Sequence, residues 1–221
     1  METKESLRFL LDEYFYRITY TNDCFQLHKF LIQGRNKYLK QMNLAPAFFQ
    51  LSYSSLLHTV IIELFKLFDP SSKTGLFNLL ELCRQNTNLF PTQRKIGCID
   101  CDTDKYIIHN VLSIDMSKEL AECRKSLKEI SKELENLRNW RNKFYAHLDE
   151  KYRNNEDNLI RDFPLNYKNI EKVLETAAMV CNKISVLLDG NASSCQSSNV
   201  FDVDNIFKKL EQVEKNIITV R

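Results

Sequence analysis

Apolar residues recur three and four positions apart through most of the chain, which is the period of a helix with one buried face. From Lys4 to Gln33 the members are Leu7, Leu11, Tyr14, Ile18, Phe25, His28 and Ile32. A second segment opens after Pro46, a residue suited to the first turn of a helix, and runs to Asp69-Pro70. Its apolar residues (Phe48, Phe49, Leu51, Leu56, Leu57, Val60, Ile61, Ile62, Leu64, Phe65, Leu67 and Phe68) leave no wide polar face. Such a helix is expected in the middle of a bundle, with His28 and His58 as core histidines. A shorter helix is expected from about Thr74 to Gln85, the longest from about Met116 to Leu148, and another from about Asn166 to Leu188. Residues 87–114 are the least regular internal stretch, an ordered loop or a flap, and 149–164 read as a polar loop. After the small polar linker NASSCQSSN, a last amphipathic segment carries Ile206, Leu210, Val213 and Ile217. The pattern predicts an all-α fold, a bundle of about five main helices over residues 1–190, with a linker and a C-terminal amphipathic helix over 191–221.

Composition agrees. Gly and Pro number four each, where average usage would give roughly 26 together, so long helices with few joints are favoured over turn-rich β architectures. A formal charge of +2 argues against a surface that coats nucleic acid throughout, while leaving room for a small basic site. No run approaches the ~18 consecutive apolar residues of a membrane span, and METKESLRFLLDEYF mixes acids into its apolar positions like an amphipathic helix. Seven cysteines without an export signal fit the reducing cytosol. Cys98 and Cys101 form a lone CxxC, with Cys83 and His109 at no recognisable zinc spacing, so no metal or other cofactor is expected. Asn191-Ala-Ser193 matches a glycosylation sequon, which carries no meaning without secretion.

The long fourth helix has a regular seam: Leu120, Cys123, Leu127, Ile130, Leu134 and Leu137. The next place by count is Arg141, followed by Phe144 and Leu148. A guanidinium taken from water costs several kcal/mol unless it is paired, so a charge at this place calls for a reason. Around it the chain reads LRNWRNKFYAHLD, and Arg141-Asn142, four residues, His147 resembles the signature of the HEPN superfamily of nucleotide-binding helical domains. The stretch is most similar to the U-type, abortive-infection branch. The likeness in topology covers roughly residues 1–190, while the motif itself is short.

The resemblance implies a metal-independent endoribonuclease, a toxin or antiviral abortive-infection effector. RNA carries its own nucleophile, the 2′-hydroxyl. His147 would take its proton or protonate the leaving oxygen, Arg141 would stabilise the charge on phosphorus, and Asn142 would orient one or the other. Arg138, Lys143 and Tyr145 are further substrate contacts; Tyr145 and Trp140 are also suited to packing. Six residues of ideal helix separate Arg141 and His147 by about 9 Å and about 120°, so one copy does not make a tight pair by itself, and the resemblance implies a homodimer in which two such helices meet. Expected partners are a second copy, RNA or a nucleotide, and a cognate antitoxin, with no membrane. Some HEPN toxins carry a modifiable Tyr two residues after the His; here that place is Asp149 and the next Tyr is Tyr152, which speaks against that control. Two other readings stand beside the nuclease. One is a non-catalytic HEPN module binding nucleotide, RNA or protein. The other is a helical adaptor in which Arg141 pairs with Glu63 for structure alone.

Overall fold

The computed structural model describes residues 3–99, 106–146, 150–152, 156–197 and 199–219. Helix α1 (Lys4–Gln33) starts from a capping box in which Thr3 and Ser6 each bond the other's backbone N–H. It buries Leu7, Leu11, Tyr14, Ile18, Thr21, Phe25 and His28, an unbroken three-four alternation, against α3 (Pro46–Phe68) and α8 (Tyr167–Asp189). Side chains lock these packings. Arg8 Nη1 donates to Ser185 Oγ at 2.6 Å and its guanidinium pairs with Asp189 at 3.3 Å, while Lys29 pairs with Glu171 at 2.5 Å. The Tyr14 hydroxyl donates to Gly75 O at 2.9 Å, ahead of α4 (Leu76–Gln85). Burial raises the pKa of the Tyr14 phenol, which holds that donor in its protonated form.

The expected long fourth helix is interrupted. It comprises α5 (Met116–Glu129), a break at Ile130 (φ −105°, ψ 15°) and α6 (Ser131–Trp140), followed by a π-helical turn over Arg141–Ala146. Ile130 itself stays buried, so the seam crosses the break without leaving the core. Residues 149–164 include a short helix, α7 (Glu156–Asp162), and Leu39–Met42 form another, α2. The irregular stretch 87–114 holds a 3₁₀ turn (Thr87–Leu89) and an antiparallel hairpin of β1 (Gln93–Ile99) and β2 (Tyr106–Ser113). Its β-branched and aromatic content (Ile96, Ile99, Tyr106, Ile107, Ile108, Val111) suits a pleated ladder, and the register shifts between Ile96 and Gly97. A lone hairpin is marginal, and this one is tied down. Arg94 donates to Val186 O at 3.1 Å and to Gly190 O at 3.4 Å at the end of α8, where Gly190 adopts φ +89°.

α3 departs from expectation along its N-terminal half. Val60, Ile61, Leu64, Leu67 and Phe68 are buried, but Phe48 is 64% and Leu51 68% exposed. His58 is exposed too, not a core histidine. The core covers one face of this helix only. By length and composition α3 is also apolar enough to cross a membrane, with mean hydropathy 1.3 over 18 residues. The tail folds back: α9 (Val200–Thr219) buries Phe207 against Leu31, Tyr38 and Met42, and Asp204 accepts from the Tyr38 hydroxyl at 2.5 Å.

His28 is buried, 5% exposed. Its Nδ1–H donates to Tyr53 O (2.9 Å), which leaves Nε2 to accept from the Tyr167 hydroxyl at 3.2 Å. Burial lowers its pKa, against a smaller opposite effect of the bond to Tyr53. The folded state therefore keeps His28 neutral where the unfolded chain protonates it. Its stabilising contribution is complete above the unfolded pKa of about 6.5 and is lost as pH falls through the lowered folded value. Urea midpoints taken between pH 7.5 and 5 should fall with pH in the wild type and fall less in His28→Gln; parallel curves would refute this assignment.

Candidate functional site around Arg141

Trp140 decides where Arg141 goes. By count from Leu137 the seam is expected to continue at Arg141, but Trp140 takes the buried place, 4% exposed, and the sequence of contacts runs Leu137, Trp140, Phe144. The Trp140 Nε1–H donates to Phe163 O at 2.7 Å, and one turn earlier Asn136 Nδ2 donates to Pro164 O at 2.8 Å. These two bonds staple α6 to the segment that precedes α8. Arg141 is left at the edge of the seam, half-buried, and needs no buried counter-ion.

Its guanidinium lies over the Phe65 ring of α3, 4.8 Å from the centroid, and Nη1 donates to Asn142 Oδ1 at 2.8 Å. Arg141 makes no ion pair with any described residue. Glu63 is not its partner: that carboxylate is engaged by Arg17 at 3.5 Å and Lys66 at 2.6 Å, as an α1–α3 cross-tie. Glu63 lies two positions before Phe65, so its side chain leaves the helix on a different face. The charge of Arg141 is felt at Asp69. The backbone N–H and hydroxyl of Ser71 hold its carboxyl below the usual range; desolvation opposes them, and the charges of Arg138 and Arg141 add smaller help.

Tyr145 stacks on His58, with centroids 4.8 Å apart and planes at 14°. His58 and Phe65 lie on one stripe of α3 with Phe48, Leu51 and Ile62, at three- and four-residue spacing. Arg141 and Tyr145 therefore face α3 together. Lys143 goes elsewhere, over the Tyr152 and Phe163 rings at 5.6 and 5.7 Å. Arg138 is exposed one turn before Asn142 and lines a groove with Phe65. His147, like Leu148 and Asp149, lies outside the described residues, as does Cys101 of the CxxC pair. Among the described residues no three His, Cys, Asp or Glu side chains gather as a metal site. The π-helical turn is the local device. Its wider winding shifts the phase of the residues after Trp140, and such turns recur at functional sites.

On the other side of Tyr145, Phe144 and Trp140 border a cavity of about 730 Å³ with an apolar wall, into which His28, Tyr53 and Tyr167 also open. Phe65, His58, Asn136 and this cavity carry no signal in the sequence pattern. Each depends on which helix α6 packs against, and no periodicity within α6 encodes that.

A family model described as AbiU2, of the HEPN group, matches residues 3–216. No curated protein and no solved structure matches the chain.

Removing the indole N–H tests the arrangement. Trp140→Phe leaves the Phe163 carbonyl without its donor, at a cost of about 1–3 kcal/mol. Urea melts followed by circular dichroism should show a lower midpoint; an unchanged midpoint would mean that the bond fixes nothing.

Proposed function

Because the chain belongs to the HEPN superfamily, abortive-infection U2 type, we propose that it is a metal-independent endoribonuclease of abortive infection, with a site composed of Arg141, Asn142 and His147 from two copies. The observation that carries the reading is the state of Arg141. Its guanidinium is seated on an aromatic ring, oriented by Asn142, and engaged by no carboxylate among the described residues. A planar fork with donors to spare is what a phosphate needs.

The 2′-oxygen attacks phosphorus while one His147 imidazole accepts its proton. The bond from phosphorus to the 5′-oxygen breaks, and a second imidazole, from the other copy, protonates the leaving oxygen. The Arg141 guanidinium stabilises the charge that builds on the phosphoryl oxygens. Products are a 2′,3′-cyclic phosphate and a 5′-hydroxyl, with no water consumed in the step. Two imidazoles in opposite protonation states give a bell-shaped pH profile around the histidine range. The apolar stripe of α3, with Phe48 and Leu51 exposed and leading to His58 and Phe65, supports a second copy as its cover. α9 supports this less, since its Phe207 is used within the chain, although Phe201 and Ile206 remain outside. A cognate antitoxin is part of the same proposal, as is a cytoplasmic site of action.

His147→Ala should lower cleavage of RNA by about 10²–10⁴-fold. Arg141→Ala should lower it by about 10²–10³-fold, and Arg141→Lys should not restore it. Cleavage should persist in EDTA, and thermal melts on the same samples should show folded variants. Wild-type RNA left intact, or cleavage surviving in folded His147→Ala, overturns the catalytic reading; the first result leaves a non-catalytic binding module. For assembly, light scattering at micromolar concentration should give twice the chain mass, and Phe48→Asp with Leu51→Asp should return it to one. A wild-type monomer would refute the composite site.

A further inference from the structure

A second groove begins where the α3 stripe ends. It lies between the end of α3, the start of α4 and one face of α5–α6, with a volume of about 360 Å³. Its floor includes the rings of Phe65, Phe68 and Phe77. Along its rim run Arg124, Lys128, Glu135 and Arg138, spaced so that the break at Ile130 keeps them on one side. Arg124 is held by Glu81 at 3.3 Å. Lys128 and Arg138 are exposed and make no hydrogen bond or ion pair with a described residue. Three residues beyond Arg138 is Arg141, seated on Phe65, which is also part of the groove floor.

We infer that this groove is the track by which one unpaired nucleic-acid strand reaches Arg141, a base lying on the Phe65 and Phe77 rings and its phosphates meeting Lys128 and Arg138. The inference rests on the ribonuclease reading for its direction, but it concerns binding and stands or falls separately. Rings below and unengaged cations above complement a strand whose bases offer flat faces and whose backbone is anionic. A duplex hides those faces, and the groove is too small to seat one. Among the described residues, Glu135 is the only acid lining it. It excludes a phosphate from the middle of the rim, which leaves the two cationic places on either side.

The test uses the whole chain and fluorescein-labelled dT12, which lacks the 2′-hydroxyl and so reports binding without cleavage. Wild type should bind at micromolar concentration or below, as read by anisotropy. Phe77→Leu, which keeps an apolar side chain but removes the ring, should weaken binding about tenfold. Lys128→Gln with Arg138→Gln should weaken it and flatten the log–log salt dependence by roughly 1.4, at about 0.7 for each phosphate contact to a single strand. Glu135→Gln should strengthen it. Circular dichroism and melts verify folding of each variant. Absence of dT12 binding, binding indifferent to all three changes, or displacement by a polyglutamate peptide as readily as by unlabelled dT12 overturns the groove. The two proposals separate cleanly. Groove-dependent binding by a chain that never cuts RNA keeps the track and removes the nuclease, whereas cleavage with KM unchanged in the groove variants does the reverse.

Discussion

An indole N–H buried in a helical bundle must find an acceptor, and much of the site depends on the one that Trp140 finds. Its bond to Phe163 O, 2.7 Å long and seconded by Asn136 to Pro164 O, fixes the end of α6 against the chain that enters α8. With Trp140 turned inward, Arg141 is carried to the rim and onto Phe65, and the π-helical turn sets out from that fixed point. The apolar cavity beside Phe144 and Tyr145 is walled by the same indole and by Pro164. One polar atom thus determines which residues of the turn face α3 and which face α7 and α8.

Helix α3 divides the molecule's labour between its two faces. Val60, Ile61, Leu64 and Leu67 close the core against α1, whose heptad-like seam is built for that role. The opposite stripe receives Arg141 and Tyr145 and keeps Phe48 and Leu51 in solvent. An all-round apolar sequence serves both, which is why composition makes the helix look buried. The thiols show the complementary case. Cys83, Cys123 and Cys181 are buried and unbridged, and burial pushes Cys83 up to about 12 and raises Cys123 and Cys181, so they behave as small hydrophobes.

Much of the fold is legible in the sequence because helical period and punctuation are local signals. The bounds Lys4–Gln33, the start at Pro46 and the cap region of α8 all carry such signals. The hairpin escapes a search for helical spacing, since its strands are rich in Ile and scarce Gly and Pro argue against turns. The break at Ile130 is hidden because the seam crosses it in register. At the site, the motif points to Arg141 and Asn142, which do bond each other. The expected Glu63 partner fails because proximity in α3 says nothing of azimuth: Glu63 faces Arg17 of α1 while Phe65 faces α6. Periodicity tells which residues share a face, but not which neighbour that face meets.

The contact between α1 and α8 also has a meaning in time. Arg8 finds Ser185 and Asp189, and Lys29 finds Glu171, across more than half the chain. At about 5–20 residues per second, a ribosome needs roughly 7 to 27 seconds to pass from the end of α1 to the start of α8. During that interval α1 and α3 can pair, but Trp140 has no Phe163 carbonyl to hold and the turn bearing Arg141 has no fixed phase. The arrangement around Arg141 is therefore among the last parts of the molecule to become permanent, completed only when the late helices leave the ribosome. A chain not yet translated to Phe163 lacks it, and so does any fragment cut short before that residue.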